Sequence, residues 1–367
     1  MLLSFAGLRS LQQGPEPRSI LVRTPNWLGD LVVSTGFVAA LLERFREARV
    51  DLIVRAGFEV LPLPHRGRVL AFDRTTESAG AFGRKRGGEG YTHCFVLPPS
   101  FSSAWMAWRS GIPWRIGYAG EGRSPLLHPA LRPAHPPRSV HLLQEYLDLL
   151  APWTSVRPEQ HPPRLDISPA WLARHALPQT PWQGHPVLLA PGAEYGPAKQ
   201  WPGAHYAEVA RALSAQGWDV AVVGLKKDRE LGEEILRGVK SGHNLCGQTD
   251  LAQLTALVGT AALLISNDSG GMHLAAALGI PQVAVLGSTN PAWTGPINPR
   301  GRIVYRGEWC SPCYARTCRF GHTRCLVDLK PEGVIEEAER LLLAAPKGPR
   351  SVDAGRMPAD RAGKLSG

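Results

Sequence analysis

Short apolar runs alternate along the chain with longer stretches of helical periodicity. Residues 19–23 (SILVR) form the first apolar run and predict a buried strand. The loop TPNWLGD follows, and 31–45 then carries helical periodicity. Further strands are predicted over 50–54, 69–72, 93–97 and 114–118, with a helix over 102–109. Residues 141–150 (HLLQEYLDLL) read as an amphipathic helix. A second series starts with a strand over 187–190. It continues with helices over 203–216, 229–239, 251–258 and 271–278, and strands over 219–224, 262–266 and 282–286. Strands alternating with helices predict parallel sheets joined by right-handed crossovers. A Pro-rich stretch between the two series separates two open α/β domains. No internal repeat is evident.

In open α/β sheets, ligands bind outside the carboxyl ends of the strands, so the loops directly after strands carry the information. In the first, Asp30 follows Gly29 where a helix starts. It is either an N-cap or a carboxylate that takes a proton from an attacking hydroxyl. In the second, APGAEYGPAKQWP, Lys199 is a candidate to neutralise phosphate beside backbone N–H groups. The spacing is neither that of a Walker loop nor GxGxxG. The third, SNDSGGMH, opens a helix, so Asp268, Ser269, Gly270 and His273 surround a positively polarised helix end. Capping and a satisfied core histidine are the alternatives there. Two such loops and a lysine point to a diphosphate-linked nucleotide. No Asp-x-Asp pair suited to a divalent cation is present, so the charge falls to Lys199, His273 and the helix dipole.

The chain has 367 residues, 44% hydrophobic and 20% charged, enough for two globular domains. Its net charge of +10 fits either a polyanionic partner or a solvated basic surface. No window approaches the roughly 20 apolar residues that span a bilayer, and no signal peptide is read at the start. The expected location is the cytoplasm, with the six cysteines reduced. Cys310, Cys313, Cys318 and Cys325 form C-x2-C-x4-C-x6-C. A structural zinc is one reading; free thiols or a disulfide-capable loop are the others. Cys94 and Cys246 read as core.

The blocks VRTPNWLGDLVVSTGF, LAPGAEYGPAKQWPGAHYAEVA and ISNDSGGMHLAAALGIPQVAVLGSTNP resemble those of the ADP-heptose:lipopolysaccharide heptosyltransferases, glycosyltransferase family 9. LPPSFSSAWMAWRSGIPWRIGY and CSPCYARTCRFGHTRC resemble the heptosyltransferase II subgroup. The resemblance covers roughly 19–344. It implies a GT-B fold, two Rossmann-like domains facing across a cleft, and an inverting transfer that needs no metal or other cofactor. It further implies an acceptor domain over 18–165, a linker over 166–185, a donor domain over 186–330 and a helix over 331–345 that would cross back to the first domain. Residues 1–17 and 346–367 fall outside the pattern and read, from their composition, as a loose extension and a disordered tail. Asp30 would be the general base. Lys199 would bind the phosphates of ADP-heptose and stabilise the leaving group. Asp268, Ser269, Gly270 and His273 would form the donor site, with Asp268 touching the sugar, and Asp228 would take the ribose. Gly271 stands where many relatives carry an apolar side chain.

The implied acceptor is the anionic inner core on lipid A, placing the protein at the cytoplasmic face of the inner membrane. Asn26, Arg109 and Arg115 are candidate acceptor contacts. Arg84, Lys85, Arg86 and Arg123 are further basic candidates, and Trp105 and Trp108 beside them could instead be core. Competing readings are a heptosyltransferase with another acceptor (first core heptose, outer core or protein) and a non-enzymatic nucleotide-binding Rossmann protein. A nucleic-acid binder is disfavoured because no element interleaves aromatic and basic residues. A dinucleotide-dependent oxidoreductase is disfavoured because the first strand's loop lacks GxGxxG.

Overall fold

The computed structural model describes residues 16–343. The expectations of a loose 1–17 extension and a disordered 346–367 tail fall outside it, residues 16 and 17 apart.

The first sheet contains β1 (Ser19–Arg23), β2 (Arg49–Arg55), β3 (Val69–Phe72), β4 (His93–Val96), β5 (Trp114–Tyr118) and β6 (Ala130–Leu131). All pair in parallel, in the order β3-β2-β1-β4-β5-β6. Helices α1 (Leu28–Arg44), α2 (Ala79–Lys85), α3 (Phe101–Arg109) and α4 (Leu142–Leu147) belong to this half. The second sheet contains β7 (Val187–Ala190), β8 (Val220–Val222), β9 (Gly242–Asn244), β10 (Leu263–Asn267), β11 (Gln282–Leu286) and β12 (Gly301–Tyr305). It too is parallel, ordered β12-β11-β10-β7-β8-β9. Its helices are α5 (Pro169–His175), α6 (Gly203–Ala215), α7 (Arg229–Ile235), α8 (Leu251–Thr260), α9 (Gly270–Ala277), α10 (Pro291–Thr294), α11 (Arg324–Val327) and α12 (Pro331–Leu343).

The two halves thus share one strand order, although no sequence repeat announces it. In each, the chain runs outward over three strands and then returns beside the first. The central strands are buried along their length because helices cover both faces. Their apolar runs therefore show no alternation, as the sequence predicted for β1. The reversals lie between β1 and β4 and between β7 and β10, the switch points where such sheets bind ligands.

The halves meet through α1 and α9. Leu274 and Ala277 of α9 are buried in the core of the first domain, with Leu31, Phe37 and Leu143. Leu251, Leu278, Trp293 and Ile297 pack at its margin. This contact is apolar, unlike the polar interface of loosely joined domains.

The expected linker contains a helix, and the expectation for the last helix needs correction. The region 166–185 contains α5, started by Pro169 and capped by Ser168, whose hydroxyl accepts from the Trp171 N–H. That helix packs on α8. The last helix does not cross back. In α12, Val334, Ala338, Leu341 and Leu342 are buried with Val209, Ala210 and Leu213 of α6 and the second sheet. Each large apolar side chain so buried contributes about 1.5–3 kcal/mol, which holds the described part of α12 to its own domain.

Candidate active site

Four loops at strand carboxyl ends converge where α1 meets α9. Helix α1 begins at Leu28, with Trp27 at the N-cap and no side-chain cap. Asp30 therefore lies inside the first turn and does not serve as the N-cap. Its side chain is free of the capping role that made its sequence signal ambiguous. Across the gap, α9 begins with Ser269 at the N-cap, again without a side-chain cap. The Ser269 hydroxyl is thus available to a ligand, beside the first-turn N–H groups of α9.

The close approach depends on glycine. A Cβ on Gly29 would stand 2.8 Å from His273 Cδ2, and one on Gly270 would stand 2.8 Å from Leu28 Cδ2. Gly271, by contrast, has room: its nearest neighbour would be Ser269 Oγ at 3.7 Å.

Lys199 Nζ donates to Asp268 Oδ2 at 2.7 Å, and both side chains are largely buried. Thr289 Oγ1 donates to the same oxygen at 2.6 Å, with Thr294 Oγ1 at 3.5 Å. Among the described residues no hydrogen bond falls on Oδ1. Lys199 also lies 5.1 Å from the centre of the Tyr195 ring, whose other cationic neighbour is Arg316 at 4.9 Å. The lysine expected to meet phosphate is therefore already neutralising a carboxylate. Asn267 holds this arrangement together. Its Oδ1 accepts from the Trp201 N–H and the Tyr206 hydroxyl, both at 3.1 Å, and its Nδ2 donates to the Pro191 carbonyl at 2.7 Å. One buried amide so fastens the loops after β7 and β10.

The charges are tuned by this setting. Burial raises the Asp30 carboxyl from 3.8 to about 6; nearby Lys199 opposes the rise and Asp268 adds to it. Burial pushes His273 down to about 4. His273 is thus a neutral imidazole near neutral pH, and it does not supply the positive charge the sequence suggested. Tyr146, buried in α4, lies close enough to Asp30 to feel its charge.

A second set of contacts locks the loop after β11 to the first domain. His141 Nε2 donates to the Gly295 carbonyl at 2.9 Å, its Nδ1 accepting from the Leu143 N–H at 3.1 Å. Trp293 Nε1 donates to Glu145 Oε1 at 3.0 Å. Sequence reasoning missed Thr289, Thr294, Trp293, Glu145 and His141. The available signal was position: GSTNPAWT follows a strand, as the other informative loops do.

Asn26 is exposed just beyond β1, its Oδ1 accepting from Arg23. Arg23 is itself buried, and burial lowers its guanidinium to about 10. Asp228 lies beyond β8, largely buried, with Oδ2 accepting from the Leu225 N–H at 2.8 Å. A Cβ on Gly192, in the loop after β7, would stand 2.8 Å from that oxygen. Asp228 therefore borders the same loop as Lys199.

Two acceptor candidates are not brought to the cleft. Arg109 ends α3, about 12 Å along the helix from its cleft-side start, and stacks over Trp105 and Trp108. Arg115 sits near the amino end of β5. It donates to the Leu126 carbonyl at 2.8 Å and the Pro113 carbonyl at 3.1 Å. Arg123 is buried beyond β5 and donates to the Tyr118 carbonyl at 2.9 Å and to the Pro98 carbonyl. Cys310, Cys313, Cys318 and Cys325 line one cavity of about 230 Å³. Among the described residues no three His, Cys, Asp or Glu side chains are set to hold a metal ion, so the zinc reading finds no formed site. All four thiols are free.

Residues 79–324 match the model of glycosyltransferase family 9 (heptosyltransferase). The chain is 31% identical to lipopolysaccharide heptosyltransferase 2 of Escherichia coli K12, over 88% of this chain and 98% of that one. It is 32% identical to lipooligosaccharide heptosyltransferase 2 of Haemophilus influenzae, over 88% and 99%. The solved structure of E. coli ADP-heptose lps heptosyltransferase II superposes with a TM-score of 0.76 at 30% identity, covering 89% of this chain and 99% of that one.

Proposed function

The chain belongs to glycosyltransferase family 9, the heptosyltransferases, and from that premise we propose that it moves a heptose from ADP-heptose to the inner core of lipopolysaccharide, with inversion at the anomeric carbon. The relatives that bear the name heptosyltransferase 2 align over nearly their whole length, which favours the already heptosylated core as acceptor.

The observation that carries the chemistry is Asp30 in the first turn of α1, its carboxyl raised to about 6, opposite the Lys199–Asp268 pair at 2.7 Å. A carboxylate so tuned is ionised near neutral pH yet basic enough to accept a proton. Asp30 takes the proton of the acceptor hydroxyl as that oxygen attacks the anomeric carbon and the bond to the β-phosphate breaks. The displacement is single, so no covalent sugar–enzyme bond forms. Lys199 turns toward the diphosphate and offsets the charge that gathers on departing ADP. The first-turn N–H groups of α9 and the Ser269 hydroxyl serve the same phosphates. Asp268 stays anchored by Thr289 and offers Oδ1 to a sugar hydroxyl, while Asp228 takes the ribose. His273 acts as a neutral packing and donor group. Asn26 reaches the acceptor from the loop after β1.

The acceptor is anchored in lipid. No helix of the described residues is long and apolar enough to cross a membrane. We therefore place the protein in the cytoplasm, against the inner face of the inner membrane.

Mass spectrometry of the purified protein with ADP-heptose and truncated core acceptors tests this. The expected product is heavier by one heptose, and Asp30→Ala abolishes turnover while still binding ADP. Turnover by that variant at the wild-type rate would remove Asp30 as the base. No gain of mass on any core acceptor would remove the function.

A further inference from the structure

Helix α3 buries Ser103, Ala104, Met106 and Ala107 toward the first sheet. Its outer face carries Phe101, Trp105 and Trp108, at i, i+4 and i+7, one helical stripe. Phe101 is 49% exposed and Trp108 43%, while Trp105 between them is half-buried, its indole edge against Gly80 of α2. They form a continuous ladder: Phe101 and Trp105 stack at 6.3 Å, and Trp105 and Trp108 at 4.9 Å. Single exposed apolar residues need no explanation, but three contiguous rings on one stripe do.

The surrounding charge is positive. Arg109 lies over Trp105 at 5.4 Å and over Trp108 at 6.0 Å. Helix α2 packs alongside α3 and ends in exposed Arg84 and Lys85. Among the described residues neither Arg84 nor Arg109 has an ion-pair partner, whereas Lys85 pairs with Glu77 and Arg86 with Glu89. Indole rings favour the headgroup layer of a bilayer, where one edge is apolar and the other wet. Arginine stems lie along apolar surface with the charge outward, and an anionic leaflet attracts each basic residue. Helix α3 starts at the carboxyl end of β4, beside the switch point. Its Phe101 end therefore lies on the cleft side of the first domain.

We propose that the stripe Phe101–Trp105–Trp108, with Arg84 and Arg109, is a docking face for an anionic lipid bilayer. It holds the acceptor side of the cleft against the surface in which the acceptor is anchored. This inference rests on the function proposed above. A neutral bilayer would leave the two unpaired arginines unanswered, and a second copy of this chain would bring like charges together.

Flotation of the full-length protein with phosphatidylcholine vesicles, with and without phosphatidylglycerol, tests it. Wild type binds the phosphatidylglycerol vesicles, less so as salt rises, and Arg84→Glu binds about tenfold more weakly. The double variant Phe101→Ser, Trp108→Ser changes exposed positions only and loses most of the binding. The double variant glycosylates a deacylated, water-soluble core acceptor at the wild-type rate, and both variants are slower on acceptor held in vesicles. Unchanged vesicle binding by the variants, equal binding to neutral vesicles, or a wild-type dimer that the double variant dissolves in ultracentrifugation would each overturn the proposal. Absence of transfer to the soluble acceptor, with vesicle binding intact, would instead defeat the proposed function and leave the docking face standing.

Discussion

Replacing Asp30 by asparagine should stabilise the protein while it destroys turnover. The raised carboxyl, at about 6 against an ordinary 3.8, means that the folded state pays to hold Asp30 ionised. At about 1.4 kcal/mol for each tenfold change in proton affinity, the cost is on the order of 3 kcal/mol. Its sign fixes the pH window. Below 3.8 both folded and unfolded chains hold the proton, and no penalty exists. Between 3.8 and about 6 the unfolded chain releases its proton before the folded one, so the penalty grows; above 6 it is complete. Asparagine keeps the shape, cannot ionise and escapes the penalty. Thermal unfolding of wild type and Asp30→Asn at pH 4 and pH 8 reads the difference. The variant should gain little at pH 4. At pH 8 it should gain up to about 3 kcal/mol, roughly 6–12 °C for a domain of this size. Its transfer rate should fall by about a hundredfold or more, the usual worth of a positioned base. A variant equally stable or less stable than wild type at pH 8, or one whose gain is the same at both pH values, would show that Asp30 carries no ionisation penalty in the folded protein.

Lys199→Met should raise KM for ADP-heptose and lower kcat together. It should also cost about 1–3 kcal/mol in denaturant unfolding, because Asp268 keeps only its threonine donors. Wild-type kinetics in that variant would contradict the phosphate role. Gly29→Ala should separate α1 from α9 and lower kcat at least tenfold with far-ultraviolet circular dichroism unchanged. Gly271→Ala, where space exists, should retain activity and raise stability by about 0.4–1 kcal/mol; equal kinetics for the two alanine variants would show that the close approach does not matter. The rate of transfer, as kcat/KM, should fall tenfold for each pH decade below about 6 and level off above it, as expected for a base that must be ionised. A pH profile flat from 5 to 8 would be inconsistent with Asp30 as that base.

The sequence was most readable where local pattern and tertiary role coincide. The buried runs 19–23 and 282–286 became β1 and β11 with unchanged limits, because a strand covered on both faces needs only continuous apolar character. The loops after β1, β7 and β10 stood out because strand ends are where open sheets bind. Short β9 (GHN) and exposed β12 escaped notice, since edge strands carry little apolar signal. Arg109 and Arg115 went astray for a different reason. Basic character says nothing about which ring or carbonyl a guanidinium will meet, and these two were taken up by Trp105, Trp108, Leu126 and Pro113. The contacts that close the cleft, His141 with Gly295 and Trp293 with Glu145, join residues about 150 positions apart. No local periodicity encodes them. The Lys199–Asp268 pair was hidden in the same way: each residue was visible as a candidate, but their pairing needed the fold.

The most direct measurement is the position of the nucleotide in crystals grown with ADP. The diphosphate should lie between the loop bearing Lys199 and the first turn of α9, with the Asp30 carboxylate facing it from the opposite wall. A diphosphate bound outside that gap, or an Asp30 side chain rotated toward the interior of its own domain, would contradict it.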